Sequence, residues 1–230
     1  MKIIEIRDEF IKIQADTDLP VSSFLVINDL GEKYNAIDLC AFSKHMIQTP
    51  MDVAYNAKTR QMFIVRQDGI MAVLNQNAAL GISAWATYKT QGNFLSVAVC
   101  NTKTYVAVER ENGVKLEFFD SNALNDSGQY NFMFTASSLP LRISHHNVNR
   151  VKMRKVIARI LKTKSIYINQ HRITLPNEVY DENSDGHSGD VCMNLLGTNS
   201  NCMHPMWTIH GTEPYPVTIL SVTMHGWYKI

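Results

Sequence analysis

The sequence predicts an all-β protein on three observations. Apolar and polar residues alternate in short runs, two hairpins of one design recur 44 residues apart, and no stretch sustains a helical period for three turns. The expected architecture is a set of incomplete β-propeller-like blades over residues 1–138, two clear and one partial. A small β-sandwich or barrel-like domain with a basic strand then follows over 139–230.

The opening residues, Met1 to Asp8, read as a strand. Charges at short intervals leave no hydrophobic leader region, so synthesis in the cytoplasm is expected. Phe24 to Asn28 followed by Asp29-Leu30-Gly31 is strand and turn, the partial blade. Gln61–Arg66, Asp68-Gly69 and Ile70–Asn75 form a hairpin, and Thr104–Arg110, Asn112-Gly113 and Val114–Asp120 repeat it. Asp-Gly and Asn-Gly predict type I′ turns, in which both central residues take positive φ. The likeness extends upstream: Asp52-Val53-Ala54-Tyr55-Asn56 and Ser96-Val97-Ala98-Val99-Cys100-Asn101 each end a Val-Ala strand in Asn, followed by Lys58-Thr59 or Lys103-Thr104. A period of this length with several strands per unit suits propeller blades, but two and a fraction are too few to close a ring. Only Ser43–Gln48 and Ser121–Asp126 read as a turn of helix or a loop.

A second module is expected to begin near Ser138-Leu139-Pro140. Its strands are Val151–Arg154, Val156–Leu161, a hairpin of Ser165–Asn169 and Arg172–Leu175 across Asn169-Gln170-His171, then Val191–Leu196, Met206–Ile209 and Val217–Met224. Pro176–Gly189 reads as a polar loop.

With 230 residues, 45% hydrophobic and 19% charged, the chain can bury a substantial core and is not of disordered composition. No apolar run approaches the roughly 20 residues of a membrane-spanning helix, and no membrane partner is expected. Cys40 and Cys100 lie in apolar strand-like runs and read as small buried hydrophobes. The net charge of +1 conceals a strong asymmetry. Residues 139–177 carry nine basic side chains and no carboxylate: Arg142, Arg150, Lys152, Arg154, Lys155, Arg159, Lys162, Lys164 and Arg172. Strand alternation puts Arg150, Lys152 and Arg154 on one face, which suits phosphates or the acidic surface of a neighbouring subunit. Few aromatics interleave, so base stacking is not expected.

Three constellations invite chemistry. Asp181, Asn183 and Asp185 with Gly186 match the opening of a calcium loop, but its twelfth position is Cys192 where a bidentate Glu belongs, so they form only a weak metal candidate. His187, Cys192, Cys202, His204 and His210 lack the close Cys pairs of structural zinc sites. Ser184, Asp185, His187 and Ser188 sit side by side in one loop, without a nucleophile elbow. The chain is therefore expected to be no enzyme and to need no cofactor.

Several stretches resemble the C-terminal part of the tail nozzle and packaged-DNA stabilisation (tail accessory) proteins of short-tailed phages. The first runs from Pro50-Met51-Asp52-Val53-Ala54-Tyr55 through Phe63-Ile64-Val65-Arg66-Gln67-Asp68-Gly69. The most diagnostic is Ile82-Ser83-Ala84-Trp85, the turn at Gly92, and Phe94-Leu95-Ser96-Val97-Ala98-Val99. The hairpin at 105–118 follows, with Leu139-Pro140-Leu141, the basic strand at 150–161, Gly189-Asp190 and Pro214–Leu220 as later pieces. The similarity spans roughly residues 38–228. It implies a virion structural protein of the phage tail, an oligomeric ring of usually six copies closing the DNA exit channel below the portal. The implied partners are portal, adaptor and other tail proteins, with non-specific DNA in the channel and no small-molecule substrate. The alternative is a propeller-like module that binds a protein or a carbohydrate, which exposed aromatics would favour; Trp85, Tyr88, Trp207 and Trp227 are the residues to inspect.

Overall fold

The computed structural model describes residues 2–7, 10–14, 22–29, 34–40, 43–77, 82–120, 132–138, 151–176, 184–200, 207–213 and 215–228. Only the backbone is described over 2–38 and at 138, 151, 196–200 and 228. These residues form eighteen strands and one turn of 3-10 helix, Lys44–Met46. All described pairings are antiparallel. The protein is all-β, and the described strands do not close into a barrel or a propeller ring. The expected helical turn at 43–48 is the 3-10 turn; 121–126 lies outside the described residues. The chain divides into two compact units, Met1–Asp120 and Ser121–Ile230. The division falls before β12 (Phe132–Ser138), which the sequence grouped with the first part.

The first unit is three meanders in succession. β1 (Lys2–Arg7), β2 (Phe10–Gln14), β3 (Ser22–Asp29) and β4 (Tyr34–Asp38) pair in chain order. So do β5 (Pro50–Asn56), β6 (Gln61–Arg66), β7 (Met71–Asn77) and β8 (Ile82–Thr90). β9 (Asn93–Cys100), β10 (Lys103–Arg110) and β11 (Gly113–Phe118) form the third.

β6 and β7 are covered on both faces, which explains their continuous apolar runs. Met62, Ile64, Ala72, Leu74 and Trp85 face a core closed by Cys40, Met46 and Ile47, and the Trp85 indole donates to the Leu39 carbonyl at 2.8 Å. Phe63 turns the opposite way and stacks on Phe119, with Tyr88 tilted against the same ring. β9 lies against β5 and β6. Its buried residues, Phe94 and Val97, are three apart, a spacing that a regular strand would send to opposite faces. A bulge opposite Ala107 and Val108 absorbs the extra residue, so Phe94 pairs with Val108 and Val97 with Val106. Beyond it Cys100 ends the strand exposed, which corrects its expected burial; Cys40 is buried as expected.

Hydrogen bonds lock the second meander to the third, those of Asp52 and Asn56 between positions about one repeat apart. Asp52 Oδ2 accepts from the Val97 amide at 2.9 Å. Asn56 Nδ2 donates to the Thr102 carbonyl and to Thr104 Oγ1, at 2.8 and 3.0 Å, while its Oδ1 accepts from the Lys58 and Thr59 amides of its own turn. The Phe94 amide donates to the Gly69 carbonyl at 2.9 Å. Asn56, which ends the first of these repeats, is thus a residue that ties the second meander to the third.

The turns differ from expectation. Asp68 and Asn112 are not among the residues with positive φ; Gly69 (75°) and Gly113 (103°) are. Each hairpin is therefore a turn through the preceding two residues, closed by a left-handed glycine. The type I′ pattern occurs instead at Asn101-Thr102 and Asn169-Gln170, each pair at φ 47° and 69°.

In the second unit, β13 (Val151–Thr163) is the centre of a three-stranded sheet between β16 (His187–Ser200) and β18 (Thr218–Tyr228). β14 (Tyr167–Ile168) pairs with β15 (His171–Arg172) and β17 (Trp207–Gly211), and β17 pairs with β12. The two groups of strands share one core: Met153, Val156, Ala158 and Ile160 of β13 meet Ile166, Ile168, Trp207 and Ile209, with Val191 and Leu195 of β16. Each of the buried Val, Leu, Ile and Met side chains among them contributes about 1.5–3 kcal/mol.

Candidate functional site

The basic segment becomes β13 and the short strands after it, and the structure disperses its charges. β13 alternates: Met153, Val156, Ala158 and Ile160 are buried, while Lys152, Arg154, Arg159, Leu161 and Lys162 are exposed. A bulge between Met153 and Lys155 keeps Met153 and Val156 on the core side despite their spacing of three. Lys152 and Arg154 share the outer face. Arg142 and Arg150 lie outside the described residues.

Several of the remaining charges are engaged. The Arg159 guanidinium grips Asp190 across the ladder with two hydrogen bonds, 2.7 and 3.1 Å. That pairing raises the Arg159 pKa and holds the Asp190 carboxyl below its ordinary range. Lys162 Nζ donates to Asp185 at 3.0 Å. Arg172 stands on β15, outside the β13 sheet, and reaches Glu213 at 3.2 Å. Lys164 lies over the Tyr215 ring, and Lys152 over the exposed ring of Trp227, 5.8 Å from its centroid. Among the described residues, Arg154 and the half-buried Lys155 have no ion-pair partner. The outer face is thus a strip led by Lys152 and Arg154, rimmed by the Arg159–Asp190 pair and by His225 and Trp227 of β18. It can hold an anionic surface through a few phosphate contacts and one aromatic platform.

The other constellations resolve into structure. Asp181 and Asn183 lie outside the described residues, and Asp185 serves Lys162. Ser184 Oγ accepts from the Gly186 amide, and Ser188 Oγ accepts from the Lys162 amide where β13 bulges. His187 and Cys192 are on β16, whereas His210 is on β17, stacked on Tyr167 at 5.1 Å; burial lowers its pKa. Cys202 and His204 lie outside the described residues. No group of three or more potential metal ligands assembles among the described residues.

Two buried arginines escaped the sequence reasoning. Arg66 binds Asp68 through both oxygens and donates to the Met46 carbonyl at 2.9 Å. Arg110 binds both oxygens of Glu117 and donates to Thr90 Oγ1 and the Gln91 carbonyl, each at 2.7 Å. Both stand two residues before a repeated turn, which was the available signal. No protein-family model matches the chain, and no curated protein does.

Proposed function

We propose that the chain is a structural subunit of a phage tail, resembling the nozzle and packaged-DNA stabilisation proteins, and works in a ring around the DNA exit channel. The observation that carries this is the locking of the second meander to the third, one repeat apart through Asp52 and Asn56 and again where the Gly69 turn meets Phe94. Face-to-face packing of successive antiparallel meanders is how propeller blades stack, so the first unit is taken as blades and the second as a small sandwich. The outer strip with Lys152 and Arg154 supplies a sequence-independent contact to DNA or to an acidic neighbour. The bidentate Arg159–Asp190 pair holds the rim of the strip, so the work is mechanical and electrostatic.

Negative-stain microscopy of the purified chain tests this: six-fold rings support it, and a field of isolated monomers contradicts it. A second use of the same strip is favoured by Trp227, 53% exposed beside Lys152. An exposed aromatic with a polar neighbour suits a carbohydrate, and glycan-array binding that is lost on Trp227→Ala would shift the assignment to a binding module.

A further inference from the structure

The outermost strand of the first unit, β11, has its second edge unpaired among the described residues. Val114, Leu116 and Phe118, all on one face, are 63%, 76% and 50% exposed. An apolar edge strand is a template for pairing with another strand. Three features of β11 specify which strand.

The first is the direction of its backbone. The Phe119 amide donates to the Thr104 carbonyl, and the register pairs Val106 with Glu117, Val108 with Lys115 and Arg110 with Gly113. Ladder bonds alternate along an antiparallel pair. The backbone groups of Gly113, Lys115 and Glu117 therefore point to β10, and those of Val114, Leu116 and Phe118 point to the open edge.

The second is chemical self-complementarity. If a second β11 runs antiparallel with Leu116 on the two-fold axis, Leu116 meets Leu116, Val114 meets Phe118 and Lys115 meets Glu117, the last two twice over. Glu117 is already fixed in place by Arg110, so its carboxylate is set for the incoming ammonium.

The third is that these two requirements select one register. Centring on Leu116 matches the edge-facing amides and carbonyls of the two copies. The neighbouring hydrogen-bonding registers, displaced by two residues, centre on Lys115 or Glu117 and set like charges directly opposite, which is destabilising.

We propose that β11 is a homotypic contact: β11 of a second copy pairs with it antiparallel about Leu116, joining two three-stranded sheets into one of six strands. The contact is isologous, with each copy contributing the same surface. It stands apart from the proposed function and from any ring stoichiometry.

The test is cysteine cross-linking of the full chain with Cys100, Cys192 and Cys202 replaced by serine. Opposed residues in a hydrogen-bonded pair have Cα atoms about 5.5 Å apart, within disulfide reach. Leu116→Cys is expected to give a covalent dimer under mild oxidation. Val114→Cys alone stays monomeric on a non-reducing gel, but mixed with Phe118→Cys it yields a covalent heterodimer. Leu116→Lys, at a side chain too exposed to matter for folding, is expected to weaken self-association in sedimentation equilibrium by at least about tenfold. Covalent dimer from Val114→Cys equal to that from Leu116→Cys overturns the proposed register. Unchanged association in Leu116→Lys overturns the contact itself, as does a chain that is monomeric at every concentration.

Discussion

Arg66 and Arg110 hold matching positions in the two repeats but carry unequal electrostatic burdens. The Arg110 side chain is 1% exposed and Glu117 18%, whereas Asp68, the partner of Arg66, is 46% exposed. Arg110→Ala leaves the half-buried Glu117 carboxylate and the Gln91 carbonyl without their guanidinium donor, and is expected to cost ~3–5 kcal/mol in urea denaturation. Arg66→Ala leaves Asp68 open to water and should cost less than about 2 kcal/mol. Equal losses would contradict the assignment of Arg110 as the deeper anchor. His45 makes a pH prediction. Burial, reinforced by Arg66, lowers its pKa in the folded state, so the unfolded chain binds the proton more readily. Its stabilising contribution is present above the ordinary histidine pKa of about 6.5 and is lost as pH falls from there through the lowered folded value. The urea midpoint should therefore drop between about pH 7.5 and pH 5.5, and His45→Gln should flatten that drop; an unaltered slope would remove His45 as its source.

Turns show where the sequence was legible and where it was not. Asp-Gly and Asn-Gly located both repeated hairpins, because glycine takes positive φ without steric cost. They did not reveal the turn type, which depends on how far each strand pairs before it bends: Arg110 pairs with Gly113, leaving Glu111-Asn112 as the loop. The Asn101-Thr102 turn was invisible, since a β-branched residue at φ 69° runs against local preference and is held there by the Asn56 bond to its carbonyl. Thr102→Gly should therefore stabilise the fold by about 1 kcal/mol. Gly69 and Gly113 separate two effects. A Cβ at Gly113 meets open space, but at Gly69 it lands 2.4–2.8 Å from the Asn93 side chain. Gly113→Ala should cost about 1 kcal/mol of backbone strain and Gly69→Ala roughly 1–3 kcal/mol in all, with thermal denaturation ranking Gly69→Ala lower. Both strand bulges, at β9 and β13, were equally hidden. Alternation read straight through Val97 or Met153 inverts the face of every later residue, and only the three-dimensional core shows which residue was skipped.

The whole chain reads as two β units whose repeats, more than any cluster of reactive groups, were visible beforehand. The apolar alternation carried the all-β class, and the Val-Ala-Asn pattern carried the joint between meanders, since Asn56 reaches Thr102 and Thr104 in the following repeat. The basic segment was legible as composition but not as a surface, because its neutralising partners Asp190, Asp185 and Glu213 come from distant positions in the chain. Lys152 and Arg154 are the exposed cations that lead what remains to meet an anion, with the half-buried Lys155 beside them. The paired change Lys152→Glu with Arg154→Glu should weaken binding of random-sequence duplex DNA and make its salt dependence shallower; unchanged binding would assign the strip to a protein neighbour or to solvent. The β11 contact is two-fold and does not close a ring, which needs a second, head-to-tail surface, so the two proposals fail separately. Native mass spectrometry of the purified chain addresses the assembly most directly. The nozzle-like account predicts a species of six times the 26.1 kDa chain mass. A spectrum that holds only monomer, or only the β11-linked pair, at every accessible concentration would contradict it.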